Sequence, residues 1–116
     1  MNETPRPGDA ELRLLDDIQG RAFAYFVHET NPVNGLVVDT TAAGAPSSIA
    51  AVGLALTSYP AAVERGYISR KDAAVRTLAA LRFFWRSKQG PEADATGYHG
   101  FYYHFLDMHS GARAWS

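Results

Sequence analysis

Cysteine is absent from the 116 residues, and this excludes disulfides, thiolate nucleophiles and thiolate metal sites. Long apolar runs are missing as well. No stretch approaches the ~18 consecutive apolar residues that a bilayer-crossing helix needs, so no membrane span is expected. The opening MNETPRPGDAEL has no basic segment leading into an apolar run, so no secretory leader is visible. With that start the expected compartment is the cytoplasm; with a longer start it would be the periplasm or the exterior. Charge of one sign is scarce too. The formal net charge is −1, and Arg65, Arg70, Lys71, Arg76, Arg82, Arg86 and Lys88 are scattered along polar faces. Nucleic-acid binding needs a clustered cationic excess, so nucleic acid is not an expected partner. Gly35, Gly44 and Gly53 lack phosphate-loop or dinucleotide spacing, and no serine sits in a G-x-S-x-G elbow. No cofactor is expected.

What is present is an ordinary globular composition, 47% hydrophobic and 20% charged, enough for one domain with a modest core. Residues 1–8 carry two prolines and a glycine and are expected to form a disordered lead-in. Three helices follow. The first, capped by Asp9, lines up Leu12, Leu15, Ile18, Ala22 and Phe26 on one stripe and stops at Asn31-Pro32, with Gly20 marking a close helix contact. The second, SSIAAVGLALTSYPAAVERG, is capped by Ser47 or Ser48. It is apolar all round, as suits a helix buried on all sides, and Pro60 should kink or end it before a C-cap at Gly66. The third opens with a capping-box-like Ser69-Arg70-Lys71-Asp72 and buries Ala74, Leu78, Leu81 and Trp85 as core.

Chemistry concentrates in two long connectors. The segment GYHGFYYHFLDMHSGARAW alternates like a strand, with Phe101, Tyr103, Phe105 and Asp107 on one face and Tyr102, His104, Leu106 and Met108 on the other. His109-Ser110-Gly111 reads as its turn and residues 112–116 as the returning strand, giving a β-hairpin. Rings interleaved with carboxylate, imidazole and guanidinium groups suit a ligand that is apolar on its faces and polar at its edges, as a sugar is. The alternative is that the rings are core and Asp107 braces the hairpin through Arg113. His99, His104 and His109 fall on different sides of the strand pattern, which argues against a metal site. The other connector, from Asn31 to Pro46, delivers Asp39 after the β-prone Leu36-Val37-Val38; here the alternative is an Asp39 that caps the turn. If successive helices run antiparallel, both connectors lie at one end of the bundle and form one rim.

ELRLLDDIQGRAFAYF, NPVNGLVVD, the second and third helices, and above all GYHGFYYHFLDMHSGARAW resemble the N-terminal part of the bacterial glucoamylase-like family, which includes endo-β-1,2-glucanases and the glucoamylase-like portion of cyclic β-1,2-glucan synthases. The likeness runs from about Glu11 to Trp115. It implies an all-α fold with a small β-hairpin, residues 9–116 being the N-terminal portion of an α/α toroid that has six helix pairs when complete. The activity it implies is glycoside hydrolysis of a glucan, with an oligo- or polysaccharide as partner. Hydrolysis of a glycosidic bond generally takes two carboxyl groups, so Asp39 and Asp107 are the catalytic candidates. Tyr98, His99, Phe101, Tyr103, His104 and Arg113 are the expected substrate contacts. The family pattern is longer than this chain, and a fragment with an inner helix short of neighbours is expected to self-associate or stay molten. The alternative function is a non-catalytic carbohydrate-binding or helical interaction module.

Overall fold

The computed structural model describes residues 4–115. Its elements run in chain order as α1 (Asp9–His28), β1 (Ser47–Ser48), α2 (Ile49–Glu64), α3 (Arg70–Arg86), β2 (Gly97–Tyr98), β3 (Phe101–Tyr102) and β4 (Phe105–Leu106). The architecture is therefore helical with very short strands. Gly8, not Asp9, is the cap of α1: Asp9 is the first helical residue, and the Glu11 carboxylate accepts the Gly8 N–H at 2.9 Å. α2 runs through Pro60 to Glu64. Pro60, which lacks an N–H, falls on an exposed position of the helix. The helix ends in a Schellman arrangement, with Gly66 at φ 78 and the Tyr67 N–H donating to the Ala62 carbonyl at 2.8 Å. Ser69 caps α3, its hydroxyl accepting the Asp72 N–H at 3.0 Å.

α2 packs against both other helices. Its inward face, Val52, Ala55, Tyr59 and Ala62, meets Phe23 of α1 and Ala73 and Ala80 of α3, and the core continues into Leu36, Val37 and Leu106. Phe23 stacks on Tyr67 at 6.0 Å and meets the edge of Tyr59 at 6.4 Å. At Gly20 the neighbour is the Tyr67 ring, not a helix backbone, and a Cβ there would make ordinary contact at 3.6 Å.

Much apolar helix surface has no partner among the described residues, and here the sequence expectations fail. Leu12, Leu15 and Ile18 of α1 are exposed; so are Leu78 and Leu81 of α3, and Trp85 is 88% exposed instead of core. α2 is buried on one side only, since Leu54 is 62% exposed and nothing lies within 4 Å of a Cβ at Gly53. The radius of gyration is 17.2 Å, with a long axis of 57 Å, against about 13 Å for a compact chain of roughly 100 residues. Amphipathic periodicity reports which face wants burial, not whether the molecule supplies a partner.

Candidate functional site

The two chemistry-bearing connectors meet in a set of short antiparallel pairings. Thr30 bridges Val37, Val38 bridges Ser47, Ser47 pairs with Leu106 of β4, and Leu106 bridges Arg113. One residue further along the same register, the Asp39 N–H donates to the Pro46 carbonyl at 2.8 Å and the Asp107 N–H to the Ala112 carbonyl at 2.7 Å. Continuing the Ser47–Leu106 register by one step sets Pro46 opposite Asp107. Asp39, Pro46 and Asp107 therefore form one cross-strand row, and opposed residues in antiparallel pairs project to the same face. Two strand spacings separate the backbones of the two aspartates, about 10 Å. The adjoining row, Val38, Ser47 and Leu106, is buried and anchors the ladder to the helices, whereas Asp39 and Asp107 are exposed.

The expected single long strand from 100 to 108 does not form. Gly97 pairs with Tyr102 and Tyr98 with Phe101, closing a separate hairpin over a two-residue loop, His99-Gly100, both at positive φ (52 and 84). That is the backbone of a mirror-image hairpin turn, in which glycine fits freely and histidine is among the better tolerated side chains. The chain then leaves strand geometry at Tyr103 and His104 and re-enters it in β4, which pairs with β1 and not with β3. The turn at His109–Gly111 is present, with the Gly111 N–H donating to the Asp107 carbonyl at 2.9 Å. The return strand shrinks to a single bridge at Arg113 and a bond from the Ala114 N–H to the Phe105 carbonyl at 2.8 Å.

Each candidate side chain has a distinct place. Tyr98 and Phe101, 45% and 80% exposed, flank the hairpin tip, and the His99 ring lies against Tyr98 at 4.0 Å. His104 Nε2 is 3.2 Å from the hydroxyl of Ser48. Ser48 therefore occupies the N-cap position of α2 but spends its side chain tying α2 to the segment before β4. Arg113 forms no salt bridge with Asp107. It donates from Nη1 to the Tyr103 hydroxyl at 3.2 Å and from Nη2 to the Pro91 carbonyl at 3.3 Å, with its guanidinium 4.9 Å from the centre of the Tyr103 ring. Tyr103 and Arg113 thus clasp the loop after α3 to the end of the ladder.

Asp107 is held by its own turn. Its Oδ1 accepts the His109 N–H at 2.9 Å, the Ser110 N–H at 2.7 Å and the Ser110 hydroxyl at 3.0 Å. The Ser110 and His109 amides, followed by the Ser110 hydroxyl, keep its carboxyl below the usual carboxylate range. Asp39 makes no side-chain hydrogen bond among the described residues. The neighbouring Tyr25 hydroxyl donates to the Val38 carbonyl, and burial, then the charges of Glu29 and Asp39, raise its pKa. Glu29 lines a cavity of about 680 Å³ together with His28, Thr40, Met108 and His109. No sequence motif marks Tyr25, Glu29 or Ser48; their proximity comes from the ladder register, which local patterning does not encode. No three His, Asp or Glu side chains converge as metal ligands among the described residues, and no helix is long and apolar enough to cross a membrane.

The depressed Asp107 pKa gives a pH dependence of definite sign. A folded-state pKa below the unfolded one contributes stability that is present above the unfolded value and lost as pH falls through the folded value. Acidification below the ordinary carboxylate range is therefore expected to loosen the 107–112 turn, read as faster amide exchange at Ser110 and Gly111. Asp107→Asn should flatten that dependence, and an unchanged acid profile in the variant would contradict the assignment.

Polar and aromatic groups are gathered at short strands between the helices, and this fold is similar to that of a solved structure. The particular match is a crystal structure of a "putative glucoamylase" from Bacteroides uniformis ATCC 8492, with TM-score 0.71 and 27% identity, over 93% of this chain and 24% of that one. The chain thus spans about a quarter of the length of the protein it matches. No protein-family model matches the sequence, and no curated protein does.

Proposed function

We propose that this chain is the N-terminal portion of a glycoside hydrolase-type α/α toroid that binds and cleaves a glucan, with Asp39 and Asp107 as its carboxyl pair. The observation that carries the reading is the cross-strand row setting the two aspartates on one exposed face, in a fold similar to a quarter of the Bacteroides protein. The aspartate backbones are two strand spacings, about 10 Å, apart, and the separation of their carboxyl groups in the complete protein decides between inversion, at roughly 6.5 to 9.5 Å, and retention, at about 5 to 5.5 Å. Asp107, whose own turn holds its carboxyl below the usual carboxylate range, is the ionised partner and orients water or a sugar hydroxyl; Asp39, which makes no side-chain hydrogen bond among the described residues, is the second carboxyl of the pair. Tyr98, Phe101 and His99 at the hairpin tip offer ring faces to a pyranose, and His104 offers a hydrogen-bonding edge. Tyr103 and Arg113 hold the arrangement from behind. A β-1,2-linked glucan is the substrate favoured by the sequence resemblance.

A second reading, a non-catalytic carbohydrate-binding module, is favoured by one feature: three donors from its own turn already engage Asp107 Oδ1. Calorimetric titration with β-1,2-, β-1,3- and α-1,4-linked gluco-oligosaccharides, run beside a reducing-end assay, separates the two. The hydrolase reading expects binding strongest for the β-1,2 series and reducing-end release by a protein carrying this segment within a complete toroid. Binding without release favours the module, and no binding to any series contradicts both.

A further inference from the structure

The cavity of about 680 Å³ that Glu29 lines falls within the roughly 300 to 1,000 Å³ usual for small-molecule clefts. It is built from connectors and the end of α1, not from the uncovered helix faces. One wall is the 40–45 loop, where no side chain is larger than threonine. The Ala42 N–H donates to the Thr40 hydroxyl at 3.3 Å and the Ala45 N–H to the Ala42 carbonyl at 3.2 Å, so the loop is shaped by its own short-range bonds and leaves the space open. The opposite wall is His28, Glu29 and the turn that follows. Asn31 and Asn34 of that turn both donate to the Met108 carbonyl at 3.0 Å, which closes the cavity against Met108 and His109. Val38 and Thr40 flank Asp39 in the chain, Met108 follows Asp107, and all three line the cavity, so it borders both aspartates.

Within it Glu29 is unengaged. Its backbone carbonyl accepts the Val38 N–H at 3.1 Å, which fixes it beside the segment that carries Asp39. The residue is half-buried, yet its carboxylate makes no hydrogen bond or ion pair among the described residues. Polar groups withdrawn from water are normally bonded, and a charged acceptor gains most from a donor. The chemistry of the walls narrows the donor. No Lys or Arg lines the cavity among the described residues, so an anion would meet the Glu29 charge uncompensated, and no three His, Asp or Glu converge to hold a metal. A neutral polyhydroxyl ligand fits: its hydroxyls donate to Glu29, and the Thr41 hydroxyl and the imidazole edges of His28 and His109 meet the others. We propose that this cavity holds the sugar unit adjoining the one at the aspartate row, with Glu29 as acceptor for its hydroxyls. This rests on glucan binding at the row and extends it by a subsite that neither the row nor the hairpin tip supplies.

The test uses the 116-residue chain itself, titrated with the β-1,2-linked glucose disaccharide and pentasaccharide by calorimetry and by nuclear magnetic resonance. Wild type is expected to bind the pentasaccharide more tightly than the disaccharide, with the side-chain carboxyl resonance of Glu29 and the amides of Thr41 and Gly44 moving on addition of the longer ligand. Glu29→Gln keeps the size of the side chain and removes its charge. It should weaken pentasaccharide binding roughly 10-fold or more, the scale of one hydrogen bond to a charged group, with the helical circular dichroism retained; Glu29→Ala should weaken it at least as much. Pentasaccharide binding that is unchanged in both variants, while the Asp39 and Asp107 amides still shift, would overturn the subsite and leave the row standing. Absence of binding by either saccharide would overturn both. Calcium chloride moving the Glu29 carboxyl resonance where neither saccharide does would make this a cation site and likewise overturn the proposal.

Discussion

Gly35→Ala is expected to remove about 2 to 5 kcal/mol of stability, a large part of the roughly 5 to 15 kcal/mol available to a domain of this size. Two costs act together. Gly35 sits at φ 72, where a side chain costs about 1 to 2 kcal/mol. An added Cβ would also lie 2.6 Å from the backbone N and Cα of Ala80, and neither helix α3 nor the connector can yield without breaking contacts at Leu36 and Val37, both fully buried. Overpacking of that kind typically costs about 1 to 3 kcal/mol. Gly44→Ala is the control: its φ of 73 is nearly the same, but nothing lies within 4 Å, so only the conformational cost of about 1 to 2 kcal/mol should appear. Denaturant titration of both variants checks the difference. Equal losses would mean that the connector does not pack on α3 as described.

Replacing Asp39 or Asp107 by Asn should lower glucan hydrolysis by roughly 10² to 10⁴, the usual contribution of one general acid or base, in a protein where this segment completes a toroid. The two variants should differ in character. Asp107→Asn keeps an acceptor oxygen for the His109 and Ser110 donors, so the turn survives while the charge that orients water is lost, and kcat falls with little change in KM. Asp39 makes no competing side-chain bond among the described residues, so Asp39→Asn should lower kcat while leaving the thermal unfolding midpoint where it was. Additivity also carries information, because residues that act as one unit lose less in the double variant than the two single losses predict. Rates unchanged in both single variants would reduce the aspartate row to a structural feature.

The helices and several of their ends were legible in the sequence because they depend on local signals: Ser69 with Asp72, Gly66 after Arg65, and the proline after Asn31; the start of α1 was not, since Gly8 stands where Asp9 was expected as the cap. Strand pairing was not, since β1 meets β4 across more than fifty residues and two-residue strands carry no periodicity to read. The alternation from Phe101 to Met108 suggested one long strand, but the two positive-φ residues at His99-Gly100 turned the chain back first. Asp39 and Asp107 stood out as acids in long connectors. Their common row came only from the register of Val38, Ser47 and Leu106. Trp85 shows the reverse failure, a residue with core periodicity on a helix face that no described residue covers.

The account depends most on saccharide binding at the row shared by Asp39 and Asp107, and the direct measurement is a titration of the isotopically labelled chain with β-1,2-linked gluco-oligosaccharide, followed by amide chemical shifts. The account predicts shifts concentrated at residues 38–40, 97–101 and 104–110, with the helix residues Val52, Leu56, Leu81 and Trp85 silent. Shifts confined to those four residues, or none at saturating sugar, would contradict it.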